Sequence, residues 1–215
     1  VPDFLRAQAG LVNGDLERGA DGVPEGWMHD QPDDQHQTSW STEHPQSGRR
    51  CLKTVVADGA EPTWIATRQH DIAIVGGARY RLQAWVKARD VRGSCGWYLH
   101  IGNQAQPMLL APMLPAGEGT FDWKQVEAEF TAPADADRLD LGTVLRGTGV
   151  AWFDNAVLQC LSPGAVRTEI LPVESLSVRE TGSDPAWYAA GRDGTRPYRA
   201  TVPALNTGDA AVERA

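Results

Sequence analysis

Gly147-Thr148-Gly149-Val150-Ala151-Trp152-Phe153-Asp154-Asn155-Ala156-Val157-Leu158 is the stretch that decides how this chain folds. It reads as a tight Gly turn followed by a strand that carries one acidic residue among aromatics. Asp is depleted in strands, and a carboxylate beside a core requires a partner. A second acidic segment, Asn13-Gly14-Asp15-Leu16-Glu17, lies at the other end of the pattern. Between the two run short alternating segments with no helical period. Tyr80, Leu82, Ala84 and Val86 alternate with Arg81, Gln83, Trp85 and Lys87. Trp97, Leu99 and Ile101 alternate with Tyr98 and His100, and Val126, Ala128 and Phe130 with Gln125, Glu127 and Glu129. Leu139, Leu141, Thr143 and Leu145 alternate with Asp140, Gly142, Val144 and Arg146. Many short strands punctuated by Gly and Pro predict an all-β sandwich.

A chain of 215 residues holds one full domain and a partial second unit. The character changes at Ser162-Pro163-Gly164, a linker signal. Residues 1–162 read as one sandwich, and 163–215 as a linker and β-rich extension. Strand-like runs at Glu169–Leu171, Leu176–Arg179 and Tyr198–Val202 have too few large apolar neighbours for a core of their own. They fit the first strands of a further sandwich, or a tail packed on the first. The net charge of −8, with Lys and Arg scattered, argues against nucleic acid as a partner. No apolar run reaches membrane-spanning length. No signal peptide is visible, and a leader removed before Val1 would leave the same sequence. The 3 Cys lack metal-type spacing, and their odd number leaves one thiol free or paired between chains. Cys51 and Cys160 fall in predicted strands, as a bridge or as small buried hydrophobes.

Several blocks, in order, resemble a known kind of domain. Leu11-Val12-Asn13-Gly14-Asp15-Leu16-Glu17 is similar to an opening "NGDFE" strand, and Pro24-Glu25-Gly26-Trp27 to the "P-x-G-W" after it. Gln46 to Val55 resembles an "SGxxSLxV" strand, with Cys51 where Ser is usual. Tyr80 to Lys87 resembles "Y-x-L-S-x-W-V-K", and Trp123-Lys124-Gln125-Val126 with Phe130 resembles "W-x-x-V-x-x-x-F". Gly149 to Leu158 closes the pattern. The chain thereby resembles, over about residues 10–161, the jelly-roll carbohydrate-binding modules of families four, nine, sixteen and twenty-two, which the sequence does not separate.

The resemblance implies a structural calcium. It makes Glu17 and Asp154 side-chain ligands, with carbonyls near Asp15 and Arg50; calcium takes six to eight such oxygens. Otherwise Asp154 caps a turn and Glu17 is solvated. The 8 Trp are many for this length. A sugar offers CH-rich faces to aromatic rings and hydroxyls to polar groups. Strand alternation gives such a mixture in Arg81, Gln83, Trp85, Tyr98, His100 and Glu127, read as one concave ligand face. Trp85 matches the Trp that lies on the ligand face in some of these modules, or else it is covered by a loop. Trp27, Trp97, Trp123 and Trp152 read as core or structural; Trp40 and Trp64 stay undecided. With no G-x-S-x-G, H-E-x-x-H or P-loop, the chain reads as non-catalytic. His29, His36 and His44, with Asp30, Asp33 and Asp34, lack metal-site spacing. The expected role is a module of a secreted, cell-surface or periplasmic polysaccharide-active enzyme, binding poly- or oligosaccharide and attached to a catalytic domain. The alternative is an accessory sandwich that supports such a domain and binds no sugar.

Overall fold

The computed structural model describes residues 10–30 and 33–162, and the backbone of two later strands, 198–204 and 208–214. The chain divides into two compact units, Val1–Val166 and Arg167–Ala215. The described residues are all-β, with no helix long and apolar enough to cross a membrane.

The first unit is a jelly-roll sandwich built around three long strands. A small hairpin, β1 (Gly19–Ala20) and β2 (Val23–Pro24), precedes β3 (Met28–His29), β4 (His36–Ser41), β5 (Cys51–Val56) and β6 (Thr67–Ala73). Then come β7 (Arg79–Gly102), β8 (Met113–Thr131) and β9 (Arg138–Ser162). β7 pairs with β8 on one side and with β9 on the other, antiparallel throughout. The first part of β9 pairs with β6, which holds β3; the later part pairs with β5, which holds β4. Two half-sheets result, β4-β5-β9-β7-β8 and β3-β6-β9-β7-β8, sharing the three long strands.

The shared strands turn a corner between the halves. At the bend Gly93 faces Gly147 across the β7–β9 ladder. Both have positive φ, 119° and 135°. A methyl on Gly147 would lie 2.0 Å from the Arg92 carbonyl oxygen, so only glycine permits the approach. Asp90, at φ 54°, inserts one residue and shifts the alternation. Before it Tyr80, Leu82, Ala84, Val86 and Ala88 point inward; after it Val91, Cys95, Trp97, Leu99 and Ile101 do.

The core fills the space between the halves. The Trp97 ring meets Phe153 of the opposite half edge-on at 5.7 Å and Trp27 at 6.0 Å. Leu139, Leu141, Leu145, Ala156 and Leu158 complete it, all with no exposure. The Pro- and Met-containing segment from Gln106 enters β8 at Met113, where Leu114 and Ala116 take buried positions.

Trp152 is buried, yet it lies outside this core. Phe153 and Ala151 point inward, so Trp152 points outward, beside Lys53 and Lys87 in the ladders. It is covered by His44, edge-on at 5.2 Å, and by Lys53 and Arg89 at 5.9 and 5.4 Å. The three thiols are free. Cys51 is level with Asp154 on β9, and Cys160 stands six residues further along, roughly 20 Å away at strand rise, too far for a bridge. Burial pushes the Cys51 thiol up to about 12.

In the second unit, β10 (Tyr198–Ala204) and β11 (Gly208–Arg214) form an antiparallel hairpin with Tyr198 opposite Arg214. The runs Glu169–Leu171 and Leu176–Arg179 lie outside the described residues.

Candidate functional site

The six residues read as one ligand face fall on two. Arg81, Gln83 and Trp85 project from the first half of β7, opposite Glu129, Glu127 and Gln125 of β8. Tyr98 and His100 project from the second half, opposite Gly142 and Asp140 of β9. The halves pack inner face to inner face, so these groups point away from each other. The sequence reading treated the two segments as separate strands of one sheet; a single strand turning the corner separates them.

On the Trp85 face most of the polar groups pair with one another. Gln83 donates to Glu127 at 2.9 Å, and Arg81 donates through Nε to Glu129 at 2.9 Å. Arg79 also pairs with Glu129, and Lys87 with Asp122 at 2.6 Å. The Arg79 and Arg81 guanidiniums hold the Glu129 carboxyl below its ordinary range. Trp85 is half-buried in this matched ladder.

The Tyr98 face is built differently. Gly142 lies under the Tyr98 ring, and a methyl there would sit 2.4 Å from the ring edge. The glycine lets the ring lie down on Ala66 and Val144, a small cluster separate from the main core. Tyr98 is 1% exposed and its hydroxyl is buried without a hydrogen-bond partner. Trp64, 41% exposed, stands edge-on to Tyr98 at 5.2 Å, and His100 is tilted against it at 4.7 Å. Three rings thus form a row. Burial lowers the pKa of His100 and raises that of Tyr98, so both are neutral near pH 7.

The row ends in a polar cavity of about 180 Å³, lined by His70, Asp71, His100, Asn103, Gln104, Pro107, Arg138 and Asp140. Its carboxylates are held. Asp140 pairs with His70 Nδ1 at 2.8 Å and accepts the Asp71 N–H at 3.0 Å. That N–H is aimed by the positive φ of Asp71, 55°, at an irregularity in β6. Arg138 donates to Asp71 at 2.9 Å. Nearby, Arg68 pairs with Asp30, whose other oxygen accepts the Ala66 N–H at 2.9 Å. The sequence reading found Tyr98, His100 and the outward Asp140. It left Trp64 undecided and missed His70, Asp71 and Arg138, which only the β6–β9 pairing brings beside them.

A second site gathers around the loop before β5. Asp154 is wholly buried; Oδ2 accepts the Gln46 and Ser47 N–H groups at 2.8 and 3.3 Å, and Oδ1 accepts that of Asn155 at 2.7 Å. Glu17 accepts the Arg49 and Arg50 N–H groups at 2.8 and 2.9 Å. Desolvation pushes the Asp154 carboxyl up to about 6, and the Glu17 charge adds to it. Arg50 turns its guanidinium over the Trp40 ring at 4.3 Å, leaving its main chain at Glu17. Asp15 is exposed. Among the described residues no three His, Cys, Asp or Glu side chains group as a metal site. A cation here would rely on two carboxylates and main-chain oxygens, a donor set suited to a hard ion.

No protein-family model matches the chain, and no curated protein matches it. Solved structures do. The CBM22-1 xylan-binding domain of Xyn10C from Paenibacillus barcinonensis superposes with a TM-score of 0.53 at 12% identity, over 74% of this chain and 99% of that one. A family 16 carbohydrate-binding module superposes with a TM-score of 0.50 at 21% identity, over 69% and 98%. The enzymatically active domain of tailspike protein 4 from bacteriophage CBA120 gives a TM-score of 0.54 at 14% identity over 72% of this chain, which spans only 22% of that one. The likeness is one of fold: this chain has the jelly roll of the carbohydrate-binding modules.

Proposed function

We propose that the first unit is a non-catalytic glycan-binding module that holds an attached polysaccharide-active catalytic domain to its substrate, outside the cytoplasm, where such polymers lie. The observation that supports it is the row Trp64, Tyr98, His100 running into a polar cavity. An exposed indole offers a surface for the CH face of a sugar, and the cavity groups offer partners for its hydroxyls. Tyr98 is covered, so it sets the position of Trp64 and His100, and stacking falls to Trp64.

Calcium at Glu17 and Asp154 belongs to the same reading. A divalent ion would relieve the burial of the Asp154 charge and pin residues 46–50 to β9. One specific observation favours the accessory-sandwich reading: the charged groups around Trp85 are already engaged, Arg79 and Arg81 with Glu129 and Lys87 with Asp122. Affinity electrophoresis through gels containing xylan, β-glucan, mannan or arabinan separates the two. Retardation by one polymer, lost in Trp64→Ala and kept in Trp85→Ala, is the result expected. Unretarded migration in every gel would leave the accessory role.

A further inference from the structure

The ring row has a direction and an end. Ile65, next to Trp64, bridges Leu145; Tyr98 is level with Gly142, His100 with Asp140, and Gly102 with Arg138. The rings therefore follow the strands, with successive centroids 5.2 and 4.7 Å apart, and the cavity continues the line to the level of Arg138. At its far end stands the turn from Asn103 to Pro107. That turn is locked. Asn103 Oδ1 accepts the N–H groups of Ala105 and Gln106 at 2.9 and 2.8 Å, and its amide donates to the Asp135 carbonyl at 2.9 Å. The Asn103 N–H donates to the Gln106 carbonyl at 3.0 Å, and the Asp137 N–H to that of Gly102 at 2.9 Å.

We propose, resting on the glycan-binding reading above, that this cavity takes the end of a neutral glycan chain: one terminal sugar ring enters it, and the Asn103–Pro107 turn stops the chain there. Size and chemistry both lead to this. The cavity, about 180 Å³, is smaller than the ~300 Å³ of a pocket for a drug-sized ligand. That size suits a single sugar ring, with the Asn103–Pro107 turn standing beyond it. The His100 ring and the Gln104 amide line the cavity and make no hydrogen bond among the described residues. Each offers a donor and an acceptor, the pair that a sugar hydroxyl matches from the other side. The formal charges lining the cavity are two carboxylates, Asp71 and Asp140, against one guanidinium, Arg138. A uronic acid would meet net repulsion, so the sugar is a neutral one. Beyond the cavity the chain passes over Tyr98 to Trp64.

A main-chain end and a branch end share this chemistry, as do reducing and non-reducing ends. The test is calorimetric titration of the full chain with neutral xylo-, gluco-, manno- and arabino-oligosaccharides of one to six residues. The best series is then repeated after borohydride reduction. The polymer is compared intact and after limited endo-cleavage. Affinity that changes by less than about threefold from the trimer to the hexamer, with polymer capacity rising in step with the number of ends, is the result expected. Loss of binding on reduction assigns the reducing end; retention assigns the other. Gln104→Ala, an exposed change in the turn, is expected to weaken the trimer by about tenfold while the melting temperature stays constant. Affinity that climbs by more than about tenfold to the hexamer, with the intact polymer bound in proportion to its mass, would overturn the chain-end assignment and leave glycan binding standing. No heat with any member of the series would overturn both.

Discussion

The two outer faces of the sandwich are cut from the same strand and hold similar residues, yet they offer a ligand different things. On the Trp85 face most rungs meet a polar partner across the ladder: Arg81 with Glu129, Gln83 with Glu127, Lys87 with Asp122. Exposed matched pairs contribute little to stability, and their groups are already engaged with one another. On the Tyr98 face Gly142 leaves room beneath the ring, and β6 is irregular at Asp71. A ring lies flat there, another stands open, and a cavity remains. Aromatic and polar residues on a strand do not make a site; the neighbours decide whether those residues are already satisfied.

The largest effects should come from the layer that both faces share. Trp97→Ala removes the ring that joins the halves and is expected to cost about 3–5 kcal/mol in denaturant unfolding. Trp152→Ala lies on the Trp85 side under His44, where the loop can settle into the space, and is expected to cost about 2 kcal/mol. Equal losses would put Trp152 in the core after all.

Asp154, under the same loop, should give stability a pH dependence. Its folded pKa of about 6 lies above the ordinary 3.8, so the folded state holds the proton more tightly than the unfolded chain. Stability is then greatest below about pH 4, falls by about 3 kcal/mol as the pH rises to 6, and is level above it. The lowered carboxyls of Asp33, Glu43, Asp122 and Glu129 act in the opposite sense, as the pH falls below their ordinary range. In chelator the Asp154 slope should appear; with calcium, or in Asp154→Asn, it should vanish. A slope unchanged by calcium would remove the ion from the account.

Gly142→Ala attacks the Tyr98 face alone. The added methyl meets the ring, so a loss of about 1–3 kcal/mol in stability is expected, together with loss of glycan binding. Full binding in this variant would show that the position of Tyr98 does not matter. Smallest in energy is the contrast between two tryptophans. Trp64→Ala should weaken glycan binding by about 1–3 kcal/mol, and Trp85→Ala by less than about 0.5. Calorimetric titration of both variants reads this directly.

Much of this was legible in the chain itself. The alternation of Tyr80 to Val86 and of Leu139 to Leu145 marks their inward faces, because a period of two needs no tertiary information. What alternation cannot show is a parity shift inside one strand. Asp90 and Asn155 each adopt positive φ and insert a residue, so Val91 and Ala156 point inward where strict alternation would turn them out. The corner itself rests on Gly93 facing Gly147, a pairing that joins positions 54 residues apart and so leaves no local trace. For the same reason Trp85 and Tyr98 look like neighbours in the sequence and stand back to back in the fold. Glu17 and Asp154 each accept main-chain N–H groups of residues 46–50, which no local pattern shows.

The central claim is that the glycan lies on Trp64 and not on Trp85. Indole N–H resonances in a nitrogen–proton correlation spectrum, assigned by Trp64→Phe and Trp85→Phe, report each ring separately during titration with the oligosaccharide that binds best. The Trp64 resonance should move to saturation while that of Trp85 stays still; movement of Trp85 with Trp64 unmoved would contradict the account.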